Sequence, residues 1–190
     1  MRAVVSITSR SLVSSVDDYF SFFFGRNSGF SNPFSGSGEG QEVDSGIGSG
    51  TIIAQNDTEL LILTSYHVVE GSSSLYVTFV DDASVDGYVK GVSEATDIAI
   101  VAVPLSEIPE NTLSAVKVAK MSIESARVGE GVVVIGNALG YGMSVTSGII
   151  SAVNRTINVD GKTLTVIQTD AAINNGNSGG CLLNAKGEII

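Results

Sequence analysis

The segment GNSGG at Gly176–Gly180 carries the strongest chemical signal in the sequence. A serine between glycines allows close backbone approach, and a tight turn can direct the N–H groups of Gly176 and Ser178 at one point, as an oxyanion requires. In that arrangement Ser178 is a nucleophile beside its own oxyanion hole. Because Gly-Asn-Ser-Gly runs also form ordinary loops, the chemistry depends on a base and an orienting carboxylate supplied elsewhere in the chain.

His67 is the only histidine of the chain and follows an apolar run in LTSYHVVEG. A single histidine is more often structural than catalytic. A serine nucleophile that relies on an imidazole base must nevertheless use this one, because no other side chain here titrates naturally near neutral pH. His67 is therefore the candidate general base.

Asp97 opens the apolar segment TDIAIVAV, so its carboxylate is expected at a barrel rim close to buried surface. A carboxylate in that position needs a partner. An imidazole N–H would satisfy it and would fix the tautomer in which the second ring nitrogen accepts the serine proton. The alternative is an aspartate that only caps a turn before a strand.

The elements that must position these residues are predicted to be β-strands. Twenty-two glycines, three prolines and many short Val/Ile/Thr runs favour an all-β architecture. A first group of six strand segments comprises Ala3–Thr8, IGSGTIIA, ELLILTS, SLYVTFV, VDGYVKGV and DIAIVAV; a second group of five comprises GVVVIG, MSVTSGIISAV, TLTVIQTD, GCLL and GEII. The sequence predicts two packed six-stranded antiparallel β-barrels with a site in the cleft between them, the second barrel truncated at its C-terminal end. The predicted units are residues 1–105 and 116–190, which together form one domain.

Residues 9–45 are predicted to be a long loop within the first unit. The loop is rich in Ser and Gly, yet it holds six of the seven phenylalanines, including those of YFSFFFG. That is a large apolar surface for a polar segment. Two interpretations stay open: the rings pack onto their own barrel, or they join subunits of an oligomer.

Charge and composition exclude several classes of protein. The net charge is −10; residues 1–110 hold fifteen acidic and four basic side chains (−11), and residues 111–190 hold five and six (+1). With no cluster of Lys and Arg, a nucleic-acid partner is not expected.

One histidine and one cysteine are too few soft ligands for a structural zinc site, and neither a cofactor nor a metal is expected. Cys181 can form no internal disulfide and is predicted to pack in the core. No apolar run suits a membrane helix or a secretion signal, so the chain is expected to start like a mature domain or like a piece cut from a longer protein.

The order His67, Asp97, Ser178 is that of the chymotrypsin-like proteases. Beyond this order, the sequence resembles the HtrA/Deg serine proteases nearly everywhere outside residues 9–45. The stretches that carry the resemblance are GSGTIIA, LTSYHVV, TDIAIVAV, GNALGYGMSVTSGIISAVNR and IQTDAAINNGNSGGCLLNAKGEII. The resemblance implies a serine endopeptidase in which Ser178 attacks, His67 is general base and then acid, Asp97 orients it, and the Gly176 and Ser178 N–H groups hold the oxyanion.

The resemblance implies further features of substrate and setting. Ala172 and Ile173 would border the pocket for the side chain preceding the cleaved bond and favour an aliphatic residue there. Asn177 replaces an aspartate that, in digestive relatives, pairs with a newly cut amino terminus. The family implies unfolded polypeptide substrates, protein quality control, a trimer and an extracytoplasmic location in the bacterial envelope or periplasm. It also implies further strands and a PDZ domain beyond Ile190.

Two rival functions stay open at this point. One is an inactive protease-like chaperone or peptide-binding scaffold. The other is a plain all-β interaction domain whose GNSGG is only a turn, which predicts that His67 lies far from Ser178.

Overall fold

The structure is a computed structural model, and it describes residues 2–13, 41–137, 142–159 and 162–190. Within these ranges, ten strands carry the fold. They are β1 (Val4–Val13), β2 (Gln41–Gln55), β3 (Glu59–Ser65), β4 (Ser74–Thr78), β5 (Ser84–Ser93), β6 (Ile98–Pro104), β7 (Gly131–Gly136), β8 (Ser144–Val159), β9 (Lys162–Thr169) and β10 (Cys181–Leu183). In the same described ranges, two short α-helices join the strands, α1 (Tyr66–Val69) and α2 (Glu110–Ala115). None of the helices in the described ranges is long and apolar enough to cross a membrane.

The first six strands close into an antiparallel barrel in the order β1-β2-β3-β6-β5-β4. Alternation of apolar and polar residues produces it, because successive side chains of a strand point to opposite faces. In β3, every second residue from Leu60 to Thr64 is buried. The barrel interior is filled by branched aliphatic side chains that are almost inaccessible, among them Ile7, Ile52, Leu60, Ile62, Val77, Val101 and Val103. The predicted first barrel is confirmed.

The remaining strands form a four-stranded antiparallel sheet in the order β10-β7-β8-β9. A smaller apolar cluster of Val4, Ile135 and Cys181 joins this sheet to the first barrel. Cys181 is 4% exposed, so the prediction that it packs in the core is confirmed. The all-β class with a complete first barrel and a partial second one is thus the observed architecture.

The structure corrects two of the predicted element boundaries. Residues 9–13 and 41–45 were predicted as loop but belong to β1 and β2, which pair from Val4↔Thr51 to Val13↔Gln41 with a bulge after Ser9. A bulge lets a pair of strands continue past a break in the alternation of side chains. The predicted strand GEII forms only isolated bridges, in which Ile189 meets Leu183 and Met121. The YFSFFFG segment lies outside the described residues.

Candidate active site

His67 lies in the first turn of α1, directly after β3. The helix has one turn, and a helix that short is held by packing rather than by its own hydrogen bonds. Val68 and Val69, 5% and 4% exposed, anchor it in the barrel core. The imidazole faces outward, with 49% of its side-chain surface accessible. The backbone of His67 is therefore held by the barrel core, while its ring is accessible.

Asp97 is brought to His67 by strand pairing, because β3 and β6 are hydrogen-bonded neighbours whose register places Ser65 opposite Ile98. Asp97 follows a 3-10 turn at Glu94–Thr96 and has φ 54° and ψ 42°. Few residues other than glycine adopt this left-handed conformation, which costs about 1–3 kcal/mol and is concentrated at functional sites.

The carboxylate of Asp97 makes two hydrogen bonds to His67. Its Oδ1 accepts the backbone N–H of His67 at 2.9 Å, and its Oδ2 lies 2.7 Å from the ring Nδ1. The Asp97 carbonyl also accepts the Tyr66 N–H at 3.1 Å. With a carboxylate at Nδ1, the neutral ring keeps its proton there and leaves Nε2 as an acceptor. This pair has the geometry of an oriented general base.

Tyr66, which precedes the histidine, was not predicted to take part in the site. It lies beside two acidic side chains, Glu70 and Glu94. Burial raises the pKa of Tyr66, and the negative charges of both glutamates raise it further. The phenol therefore stays protonated and can donate a hydrogen bond to Glu70 or Glu94.

Ser178 sits in a tight loop between β9 and β10. Two backbone bonds fold the loop, from Asn177 N–H to the Asn174 carbonyl at 3.1 Å and from Gly180 N–H to the Asn177 carbonyl at 2.9 Å. Gly176 and Gly179 have φ of 92° and 80°, values that L side chains rarely adopt. Gly176 and Gly179 of GNSGG are thus required by the turn.

The serine loop packs directly against the strand that leads into His67. A Cβ added to Gly179 would lie 2.2 Å from Thr64 Oγ1 and 3.0 Å from Ser65 N, which leaves no room for any side chain there. On its other side, Ser178 accepts the Ser49 N–H at its carbonyl, at 2.7 Å. The structure therefore brings the Ser178 loop against the segment that ends at His67, whereas a plain interaction domain predicted the two to be far apart.

Gly176 and Ser178 are the residues whose N–H groups were predicted to hold an oxyanion. Gly176 is buried and Ser178 is half-buried. Across the residues that the structure describes, the N–H groups of Gly176 and Ser178 donate to no protein acceptor. Buried N–H groups are nearly always paired, so two unpaired donors in one turn suit a ligand oxygen.

The predicted pocket residues Ala172 and Ile173 lie in the segment before the serine loop and are both exposed, Ile173 to 60%. The Ala172 carbonyl accepts the Thr146 hydroxyl at 2.9 Å, which ties this segment to β8. Asn177, by contrast, is buried, and within the described residues its Oδ1 has no hydrogen-bond partner. It faces Gly136, where an added Cβ would lie 2.8 Å from that oxygen.

Within the described ranges, no group of three or more His, Cys, Asp or Glu side chains is placed to hold a metal ion.

A closed barrel beside a second antiparallel sheet, with a His-Asp pair and a glycine-rich serine loop where they meet, is the chymotrypsin-like architecture. The family described as trypsin-like peptidase domain matches residues 48–190, and the chain belongs to this family. It is 40% identical over 186 residues to the probable periplasmic serine protease do/HhoA-like of Haemophilus influenzae. It is 42% identical over 163 residues to the serine protease Do-like HtrA of Bacillus subtilis.

Solved structures give the same result. The serine endoprotease from Yersinia pestis matches 99% of this chain with a TM-score of 0.68 and 28% identity, and the chain covers 52% of it. The HtrA-type protease AlgW with tripeptide matches 100% of this chain with a TM-score of 0.71 and 26% identity, and the chain covers 49% of it. The match to the Haemophilus influenzae relative covers 97% of this chain but only 38% of the relative's own length. The match to the Bacillus subtilis relative covers 82% of this chain and 35% of the relative's own length.

Proposed function

We propose that this chain is a serine endopeptidase with Ser178 as nucleophile, His67 as general base and then acid, and Asp97 as the orienting carboxylate. The observation that carries the proposal is the double contact of Asp97 with His67, through the backbone N–H and through Nδ1. A turn-capping aspartate needs only the first of these bonds. The second positions the ring for proton transfer.

The proposed reaction begins with attack of Ser178 Oγ on the carbonyl carbon of a peptide bond while His67 Nε2 takes the hydroxyl proton. The oxygen of the tetrahedral intermediate is held by the N–H groups of Gly176 and Ser178. The carbon–nitrogen bond then breaks, His67 gives its proton to the leaving amine, and an acyl-enzyme remains. Water, deprotonated by His67, releases the acid and restores Ser178.

The proposed substrates are unfolded or damaged polypeptides. Ala172 and Ile173 are apolar and exposed beside the serine loop, which favours an aliphatic side chain before the cleaved bond. The relatives in Haemophilus influenzae and Salmonella typhimurium are named periplasmic serine proteases. On that basis we infer an extracytoplasmic location and a role in protein quality control. A homotrimer and a PDZ domain in the parent chain belong to the same proposal.

Covalent labelling with a fluorophosphonate probe, followed by peptide mapping, tests the nucleophile. We expect modification of Ser178 in the wild-type chain and none in His67→Ala or Ser178→Ala. Ser114→Ala is the matched control, because Ser114 is an exposed serine whose hydroxyl only bonds the Asn111 carbonyl. A wild-type chain that is folded but unlabelled would contradict the proposal and favour the inactive chaperone or scaffold.

Cleavage of a denatured protein and of its folded counterpart tests the substrate class. We expect cleavage of the denatured form alone, with aliphatic residues before the cut bonds. Retained binding of the denatured protein by Ser178→Ala would separate loss of chemistry from loss of recognition. Cleavage mainly after basic residues would contradict the assignment of Ala172 and Ile173.

A further inference from the structure

Ser49 lies on β2, in the first barrel, yet it makes two direct hydrogen bonds to the serine loop. Its backbone N–H donates to the Ser178 carbonyl at 2.7 Å. Its hydroxyl bonds the Gly176 carbonyl, also at 2.7 Å, across 127 residues of sequence. Ser49 is 0% exposed, so neither bond competes with water.

The remaining polar groups of Ser49 are occupied as well. The Asn137 N–H donates to Ser49 Oγ at 2.7 Å, and the Ser49 carbonyl accepts the Thr64 hydroxyl at 2.7 Å. Since Oγ already accepts from Asn137, its single proton is directed to the Gly176 carbonyl. The hydroxyl thus has one orientation, and every polar group of Ser49 has a partner.

The two carbonyls that Ser49 binds flank the peptide unit that carries the Ser178 N–H. Rotation about either adjacent bond alone, ψ of Asn177 or φ of Ser178, moves a held carbonyl, so only a concerted counter-rotation of both angles leaves the two hydrogen bonds of Ser49 intact. A clamp on each side therefore limits where the Ser178 N–H can point. Gly48 contributes to this approach, because a Cβ there would lie 2.7 Å from both γ-methyl groups of Val68 and 3.2 Å from the Ser178 carbonyl oxygen.

We propose that Ser49 is a positioning residue that fixes the oxyanion-binding conformation of the Gly176–Ser178 turn from the opposite barrel. The inference rests on the proposed peptidase function. It adds a residue that touches no substrate and acts through the loop alone. Preorganised donors contribute strongly to transition-state stabilisation, so loosening them reduces the rate of reaction more than the binding of substrate.

Ser49→Ala in the full chain tests this role, with Ser9→Ala as the matched control. Ser9 is another buried serine of the first barrel, 3% exposed, whose hydroxyl bonds the Gly46 carbonyl and not the serine loop. For Ser49→Ala we expect kcat to fall about tenfold to a hundredfold with KM nearly unchanged, a smaller loss than removal of a donor itself. A peptide boronate, which forms a tetrahedral adduct with the serine, should lose affinity by the same factor. Ser9→Ala should change neither.

Ser49→Cys keeps a weaker donor of similar size, and an intermediate loss of kcat is expected for it. Amide hydrogen exchange of peptides covering residues 174–180 gives a readout that does not depend on activity. Exchange should accelerate in Ser49→Ala and stay at the wild-type rate in Ser9→Ala. Equal kcat and equal exchange in the two alanine variants would overturn the role of Ser49. An unlabelled, inactive wild-type chain would instead defeat the peptidase proposal, and exchange would still decide whether Ser49 holds the loop.

Discussion

The carboxylate of Asp97 contacts His67 with both oxygens, one at the backbone N–H at 2.9 Å and one at the ring Nδ1 at 2.7 Å. The first bond holds the position of the residue, and the second holds the rotation and tautomer of its ring. The same carboxylate thereby holds both the backbone and the ring of His67. A substitution can separate these two contacts.

Asp97→Asn should leave the fold intact and reduce kcat by roughly four orders of magnitude. Asparagine tolerates the left-handed backbone of this position and can still accept the His67 N–H, so stability should change little. Its NH2 group, however, donates to Nδ1 and so favours the tautomer in which Nε2 carries the proton. In that tautomer Nε2 cannot accept a hydrogen bond from the serine hydroxyl. Because His67 is the only histidine, 15N NMR of the imidazole would report the change of tautomer without assignment. Unchanged kcat in a folded variant would contradict the role of Asp97.

Gly179→Ala should destabilise the protein by about 3 kcal/mol or more, because strain of the left-handed backbone adds to overpacking. The added Cβ would meet the Ser49 carbonyl and Thr64 Oγ1, both at 2.2 Å. Gly187→Ala is the matched control: its φ is 73°, and an added Cβ there has no atom within 4 Å. It should cost only the backbone term, about 1 kcal/mol. Urea unfolding of both variants measures the difference, and equal losses would mean that the serine loop is not packed against β3.

The local patterns of the sequence predicted much of this fold. Alternating burial in β3 follows from the alternation of residues in the strand, and the GNSGG turn follows from glycines at positive φ. These two predictions succeed because each rests on a few adjacent residues and one physical requirement. The contact between His67 and Asp97, 30 residues apart, was proposed on a different ground, because a carboxylate at the barrel rim needs a hydrogen-bonding partner.

Contacts between residues distant in sequence could not be predicted in this way. Ser49 looked like a small strand residue between two glycines, and only its bond to Gly176, 127 residues away, gives it a role. Tyr66 precedes the histidine in sequence, but its closeness to Glu94 depends on how the turn before β6 packs beside α1. The extension of β1 and β2 was missed because a bulge interrupts the alternation after Ser9.

Cys181 should resist alkylation in the folded protein. Burial raises the pKa of its thiol, an effect that outweighs the opposing contact with the Thr51 hydroxyl, so little reactive thiolate forms near neutral pH. Reaction with iodoacetamide should be roughly tenfold or more slower in native buffer than in urea. A single thiol makes the rate simple to interpret. Equal rates in both solvents would show that the contact between the sheet and β1 opens readily.

The hydrogen bond from Thr112 to Asp81 should make part of the protein's stability depend on pH in the acidic range. Thr112 is fully buried and donates to Asp81 Oδ2 at 2.6 Å, and this bond holds the pKa of Asp81 below its ordinary value of 3.8. A carboxyl group whose pKa is lowered by folding stabilises the protein at pH values above its pKa in the unfolded state. That contribution is lost as the pH falls through the pKa of the group in the folded state.

Thr112→Val removes the bond while keeping the shape of the side chain, so the difference in Tm between wild type and variant should be constant above about pH 5 and shrink below about pH 4. Glu59, Glu124 and Glu188 also have lowered pKa values, but they are the same in both proteins, so their acid dependence cancels in the comparison. Thr78→Val is the matched control, because the Thr78 hydroxyl bonds that of Ser84 and no carboxylate. Its Tm difference from wild type should not vary with pH. If the Tm differences of Thr112→Val and Thr78→Val from wild type changed in the same way as the pH falls, the ionisation of Asp81 would not be coupled to Thr112.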